Sequence, residues 1–534
     1  MIQLKKFISV GFMFALLLTL SACNPRNVII EPATGINTAA PVTILTSSAA
    51  PIMHKMMALP RQPQFNTEAY KYLEENGFKD PLKSPLSTFS IDVDTASYSN
   101  VRRMLRDNQF PEAGAVRIEE MINYFSYYYP YPAGDTPVAV YQELTECPWD
   151  SEHYLLHIGL QAKAIDMKDA PQSNLVFLVD VSGSMYEDLE LVKASLKMLT
   201  AQMNLDDRIS IVVYAGAAGT ILQPTPGSDR KTIENALDQL EAGGSTAGSE
   251  GIELAYELAE KYLIKGGNNR IIMATDGDFN VGLTSEDALV RLIKKKRDKG
   301  IYLTVLGFGM LNYDDVTAEA LADHGNGNYA YIDNLLEAKK VLVSEVGGTL
   351  LTVAKDVKLQ LEFNPTQVKS YRLIGYENRL LEAEDFANDK KDAGEMGAGH
   401  TVTALYEIIP QDGTSETGNN LRYQQPTVSS DTDKSGELAL VKYRYKNPDE
   451  ATRNLLSFTV PATPVSFSSA TENQRFASAV AAWGMLLRNS EFKGNTDWDW
   501  ITTTARSAKG ADLNGDRAEF IKLVELAKIL ENKR

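Results

Sequence analysis

Leu175-Val-Phe-Leu-Val-Asp-Val-Ser-Gly-Ser-Met185 is an apolar run that stops at Asp-x-Ser-x-Ser. A continuous apolar stretch of this kind predicts a strand buried on both faces, as in a parallel sheet covered by helices. A helical pattern follows over residues 188–203, so strand, polar turn and helix succeed one another as in a βα unit. Ligands of open α/β sheets bind in the crevice beyond the carboxyl ends of the strands. Asp180, Ser182 and Ser184 are therefore expected at the mouth of that crevice.

Two further segments point to the same place. Gly243-Gly-Ser-Thr-Ala-Gly248 is a flexible loop ahead of a helical pattern over 250–263. Arg270-Ile-Ile-Met-Ala-Thr-Asp-Gly-Asp-Phe-Asn280 is a second buried strand ending in acid. Thr246 and Asp276 complete a set of carboxylate and hydroxyl oxygens. Such donors suit a hard cation, Mg²⁺ or else Ca²⁺ or Mn²⁺, and no Cys/His set stands nearby to attract zinc. A lone Asp-x-Ser-x-Ser reads better as a polar turn capping a helix; three such segments in order, each after a fitting element, carry the metal reading.

The order Asp-x-Ser-x-Ser, Gly-Gly-Ser-Thr, Thr-Asp-Gly resembles a von Willebrand factor A domain with an intact metal-ion-dependent adhesion site. The resemblance implies that Ser182, Ser184 and Thr246 hold the ion, that Asp180 and Asp276 act directly or through water, and that a partner carboxylate takes the open position. Asp278 and Asn280 become candidates for the partner-binding rim. Longer stretches widen the likeness. Ser87-Thr-Phe-Ser-Ile-Asp-Val-Asp-Thr-Ala-Ser-Tyr98, Ala115-Val-Arg-Ile-Glu-Glu-Met-Ile-Asn-Tyr-Phe125, Tyr371-Arg-Leu-Ile-Gly-Tyr-Glu-Asn-Arg379 and Gly397-Ala-Gly-His-Thr-Val-Thr-Ala-Leu-Tyr-Glu407 resemble bacterial von Willebrand A-domain lipoproteins of the YfbK type.

The fold expected is α/β: a doubly wound, mostly parallel sheet over 173–347, flanked by a small N-terminal α+β domain (67–172) and a C-terminal β-sandwich (348–470) with a helical tail (471–534). Strands are predicted at 175–179, 208–214, 220–222, 270–275, 301–308 and 329–332, with a last helix over 334–346. That last helix leads directly into the β-rich segment. The flanks are expected to open with a helical patch at 67–76 and to contain helices at 98–108 and 117–127. Asp92 and Asp94 precede the first of these and read as its capping residues. Asp512-Leu-Asn-Gly-Asp-Arg517 reads as a loop capping the final helix rather than a calcium loop, which would need glycine at its sixth place and a carboxylate at its twelfth.

Lys5 and Lys6 precede a short apolar run, 7–20, which reads as a signal-peptide core rather than a span of about 20 residues. Leu20-Ser21-Ala22-Cys23 resembles a bacterial lipobox, implying a signal peptide at 1–22, acylation of Cys23, and a tether over 23–66 rich in Pro, Ala, Thr and Ser. Such a tether has a mean reach of ~35 Å. Asn24 and Pro25 do not resemble an inner-membrane retention signal, which favours the outer membrane of a diderm. Only Cys147 remains besides Cys23, so no intramolecular disulfide forms and Cys147 reads as a small buried hydrophobe.

A net charge of −17 argues against nucleic acid or anionic lipid surfaces as main partners. Lys294-Lys-Lys-Arg297 is the one dense basic run and reads as a solvated helical face. The function expected is metal-dependent binding of a protein partner that presents an Asp or Glu carboxylate, on a chain tied to the membrane by its lipid. The alternatives are an envelope assembly factor and a metal-assisted hydrolase using Asp276 and Asp278. Five histidines and the absence of Gly-x-Ser-x-Gly and His-Glu-x-x-His weigh against the hydrolase.

Overall fold

Six strands form the sheet of the A domain. In a computed structural model, which describes residues 68, 70, 74–244, 248–277, 286–309, 314–389, 391, 393–413, 436–448, 450 and 452–533, β4 (Ser173–Asp180) lies at its centre. It pairs in parallel with β5 (Arg208–Tyr214) and β7 (Asn268–Thr275). β8 (Ile301–Gly307) and β9 (Tyr329–Tyr331) extend the parallel sheet, and β6 (Ala218–Pro226) closes the other edge antiparallel to β5. Every residue of β4 and β7 is buried. Alternate residues serve opposite faces. Leu175, Phe177 and Val179 pack with Val192, Leu196 and Leu199 of α3 (Leu189–Thr200). Val176 and Leu178 pack with Ile252 and Tyr256 of α5 (Gly248–Lys261) and with Leu289 and Ile293 of α6 (Glu286–Arg297). This two-faced burial is why the strands read as unbroken apolar runs.

The two flanks are not successive domains; they share both sheets of one sandwich. One sheet runs β12 (Leu380–Leu381), β1 (Leu86–Ser90), β10 (Thr352–Phe363), β15 (Glu437–Lys446), β16 (Arg453–Pro461), with β13 (Gly394–Gly397) also on β10. The other runs β11 (Val368–Ile374), β14 (Thr401–Pro410), β3 (Tyr154–Ala162), β2 (Val138–Glu146). Phe89 of β1 stands opposite Leu359 of β10, and His157 of β3 opposite Leu405 of β14. Leu156, Ile158, Leu160, Leu361, Phe363, Tyr371 and Tyr406 fill the space between the sheets, with Phe363 stacked on Tyr371 at 4.0 Å. The A domain is thus an insertion between strands of the sandwich.

Helices cover the outer face of the second sheet. α1 (Ala96–Arg106), α2 (Ile118–Asn123), α10 (Glu472–Arg488), α11 (Trp498–Ser507) and α12 (Asp516–Glu531) meet around Tyr98, Phe125, Phe476, Trp483 and Phe520, over Leu155, Ile374 and Leu405. The tail consists of the last three of these helices. Asp512 caps α12 by accepting the backbone N–H groups of Arg517 (3.0 Å) and Ala518 (2.9 Å).

Four local expectations are corrected. The described residues of 67–76 are not helical, and α2 is one turn shorter at its C-terminal end than the predicted 117–127. Asp92 and Asp94 do not cap α1, whose N-terminal Thr95 makes no side-chain cap either; both carboxylates bind Arg379 instead. The last A-domain helix is broken into α8 (Leu335–Lys339), a π turn (Lys340–Ser344) and α9 (Val346–Leu350). Lys340 in that turn is buried between Glu345 (2.8 Å) and Asp516 (3.2 Å), and Gly347-Gly348 follows, so both anchoring and propensity oppose a regular helix. Arg102 of α1 reaches the same element, binding Glu337 at 2.7 Å and Asp333 through Nε at 2.9 Å.

Candidate metal centre

β4 and β7 end side by side, which brings Asp180 and Asp276 to one rim of the sheet. The chain leaves β4 through Val181, whose N–H donates to the Tyr214 carbonyl at the end of β5 (3.0 Å). Gly243 then donates to the Val181 carbonyl (2.7 Å), and Gly183 donates to the Gly244 carbonyl (3.1 Å). These two bonds hold the Gly243-Gly244 loop against Asp-x-Ser-x-Ser. The first two of the three sequence segments are thus laced by backbone, and the third enters through sheet pairing.

Within this frame the donors converge. Asp180 Oδ1 accepts the Ser182 N–H at 2.8 Å. The hydroxyls of Ser182 and Ser184 are 3.0 Å apart, Ser182 buried and Ser184 exposed. Asp180 Oδ2 is sealed from solvent and makes no well-formed hydrogen bond among the described residues, with the Tyr214 hydroxyl close beside the carboxylate. Burial raises the Asp180 carboxyl to about 6; the Ser182 hydrogen bonds hold it down, the Asp276 charge pushes it up, and the nearby Tyr214 hydroxyl again favours its charged form. A buried carboxylate oxygen short of proton donors is costly unless a cation meets it. The donor set, carboxylate and hydroxyl oxygens with no soft ligand, fits a hard divalent ion. Asp180, Ser182 and Ser184 would hold such an ion from one side and Asp276 from the other.

One acid near this centre was not singled out from the sequence. A Cβ at Gly309 would stand 3.2 Å from the Asp276 Cβ and 3.4 Å from Asp188 Oδ2, so Asp188 and Asp276 flank the same glycine. Burial first, then the charges of Asp276 and Glu187, raise the Asp188 carboxyl to about 6. Its only sequence signal is its place just ahead of α3, where it reads as a helix start. Thr246, Asp278, Asn280 and Cys23 lie outside the described residues. Among the described residues no three His, Cys, Asp or Glu side chains gather to hold a metal; the donors here are two carboxylates completed by hydroxyls.

Cys147 is buried and unpaired, and burial pushes its thiol well above the usual range. The basic run 294–297 is only partly solvated: Lys296 is buried against Glu260 (2.6 Å), and Arg297 turns toward a cleft at the far end of the sheet.

Comparison with known proteins agrees with this architecture. The description "von Willebrand factor type A domain" matches residues 175–278, "von Willebrand factor" matches 64–157, and "Uncharacterized protein YfbK, C-terminal" matches 348–530. The chain is 45% identical over 470 residues to "Uncharacterized protein YfbK" of Escherichia coli (strain K12), covering 86% of this chain and 81% of that protein. Among solved structures, the von Willebrand factor type A protein from Catenulispora acidiphila is similar at 16% identity and a TM-score of 0.40, over 73% of this chain and 89% of that one. Proximal thread matrix protein 1 from the mussel byssus, solved with a zinc-occupied MIDAS motif, is similar at 19% identity and a TM-score of 0.29, over 35% of this chain and 47% of that one. Across its flanks and its A domain alike, the chain belongs to the YfbK family of von Willebrand factor type A domain proteins.

Proposed function

We propose that this chain is a lipid-anchored cell-envelope protein that captures a protein partner through a divalent cation, Mg²⁺ before Ca²⁺ or Mn²⁺. The observation that carries the reading is Asp180 Oδ2, a buried carboxylate oxygen that makes no well-formed hydrogen bond among the described residues, beside two converging hydroxyls on an exposed rim. An ion there supplies a strong local positive charge, and an Asp or Glu from the partner fills its open position. The site is read as a binding centre rather than a catalytic one, with specificity supplied by the loops around it. The lipobox at Cys23 supports attachment by acyl chains, in the outer membrane of a diderm, and no described helix is long and apolar enough to cross a membrane.

A crosslinked pull-down from native envelopes tests the reading. It compares the wild type in Mg²⁺, the wild type in EDTA, and Ser182→Ala/Ser184→Ala in Mg²⁺. A partner seen only in the first sample supports metal-dependent capture. A partner retained in all three moves binding to the sandwich and its helices and overturns the proposal.

A further inference from the structure

At the end of the A-domain sheet opposite the metal centre, the chain lines a cleft of about 630 Å³. Its walls come from the loop before β7, the turn between α6 and β8, and the start of β10. The charged residues of this wall are Lys265, Arg270, Arg297, Lys299 and Lys355, against the single acid Asp298. That sign is the reverse of the chain's, whose net charge is −17. Arg297 is paired with Asp298 at 3.2 Å, and Lys299 with Glu260 outside the cleft. Arg270, Lys265 and Lys355 form no ion pair among the described residues.

Arg270 decides what the cleft is for. It is 2% exposed. Nη1 donates to Thr304 Oγ1 at 2.8 Å and Nη2 to the Leu350 carbonyl at 3.4 Å, while the guanidinium lies 5.4 Å from the centre of the Tyr302 ring. Nε is buried with no acceptor among the described residues. Glu395, the acid that acts on it, is turned to Asn326. Desolvation therefore prevails, and the guanidinium falls to about 10. Two other buried arginines behave oppositely. Arg102 and Arg117 each bind two or more carboxylates and are raised well above the ordinary value. A charge kept in the interior without a bonded carboxylate is unfavourable, and here it stands at the wall of a cleft open to a solute.

We propose that this cleft binds a phosphate-bearing anion, with Arg270 as its buried anchor and Lys265 and Lys355 as its outer cations. A guanidinium fork with two ammonium groups matches a multiply charged oxyanion. Gly266 and Gly300, at φ +73° and +82°, line the cleft with empty space where a Cβ would stand, so the ligand meets bare backbone there. The volume leaves room for an organic remainder beyond the phosphate. The phosphate belongs either to a soluble metabolite or to a lipid headgroup.

Calorimetric titration of the full chain in detergent tests the site. The probes are inorganic phosphate, pyrophosphate, and the short-chain lipids dihexanoyl phosphatidylglycerol and dihexanoyl phosphatidylcholine, with chloride at matched ionic strength as the control. Saturable binding of phosphate or pyrophosphate, weakened at least about tenfold in Lys265→Ala/Lys355→Ala and lost in Arg270→Gln, supports a soluble ligand. The same pattern with phosphatidylglycerol alone supports a headgroup. The lysine pair lies outside the core, so it keeps the test open if Arg270→Gln does not fold. Binding no better than chloride, or binding unchanged in both variants, overturns the proposal.

Discussion

Asp94 joins the sandwich to the last strand of the A domain: Oδ1 accepts the backbone N–H of Tyr329 at 2.8 Å while Oδ2 takes Nη2 of Arg379 at 3.1 Å. Arg379 in turn binds Asp92 (3.0 Å), Glu319 (3.2 Å) and Asp323 (2.6 Å), the last two on α7 (Asp315–His324). One guanidinium therefore holds four carboxylates from two structural units. Removing it leaves those charges buried together. Arg379→Met is expected to destabilise the chain by about 3–5 kcal/mol, read as a lower urea midpoint. A loss below about 1 kcal/mol would show that the carboxylates simply take up protons and the junction is held by packing.

The metal centre predicts a different response. Asp180→Asn removes a charged ligand but keeps its shape and the acceptor of the Ser182 N–H. Divalent-metal affinity, measured by titration calorimetry with Mg²⁺ and Mn²⁺, is expected to fall by more than the roughly 10–100-fold that outer-shell substitutions cost. In EDTA the same variant is expected to melt at or above the wild type, because it loses a buried carboxylate that stands beside Asp276. An equal drop in melting temperature with and without metal would make Asp180 a structural residue.

How much of this was legible depends on the range over which each feature is specified. β5 was predicted at both ends, and β4, β7 and β8 nearly so, because strands buried on both faces carry their signal in their own residues. Asp180, Ser182 and Ser184 share one turn, so their convergence is local too. Strand partners are not local. β1 pairs with β10 across the whole A domain, and no residue near Phe89 announces Leu359. The same distance hid Arg379 from Asp92 and Asp94, which then resembled helix caps. Asp188 was missed because its neighbours Asp276 and Gly309 come from other strands' ends. The π turn depends on Lys340 meeting Asp516, which belongs to the helical tail.

His157 supplies a pH signature of the sandwich. It is fully buried in β3, with Nδ1 2.9 Å from Gln474 Oε1 and Nε2 2.5 Å from the Tyr129 hydroxyl. Neutral imidazole satisfies both, donating at Nδ1 and accepting at Nε2. Burial lowers its pKa from 6.5 to about 4, against the smaller upward pull of Glu143 and Gln474. Between those values the unfolded chain binds the proton that the folded chain refuses. The stability held by the neutral ring is complete above pH 6.5 and is lost as pH falls toward 4, by about 3 kcal/mol at most. His157→Gln is expected to flatten the dependence of the urea midpoint on pH across this window. An unchanged slope would assign the acid sensitivity to other groups.

The two cysteines give a direct measure of the proposed anchor. Cys147 is 4% exposed and its thiol is pushed up by burial, so it is neither accessible nor ionised in the folded chain. Cys23, if acylated, has no free thiol. Protein purified from membranes should therefore give almost no reaction with Ellman's reagent at pH 8 and release one thiol per chain in guanidinium chloride. Two thiols on unfolding would leave Cys23 free and refute the lipid attachment. One thiol in the native state and two on unfolding would say the same and place the reactive group at Cys23, since burial protects the other. Cys147→Ser removes the ambiguity: in that variant the denatured titre should be zero if the chain is lipidated.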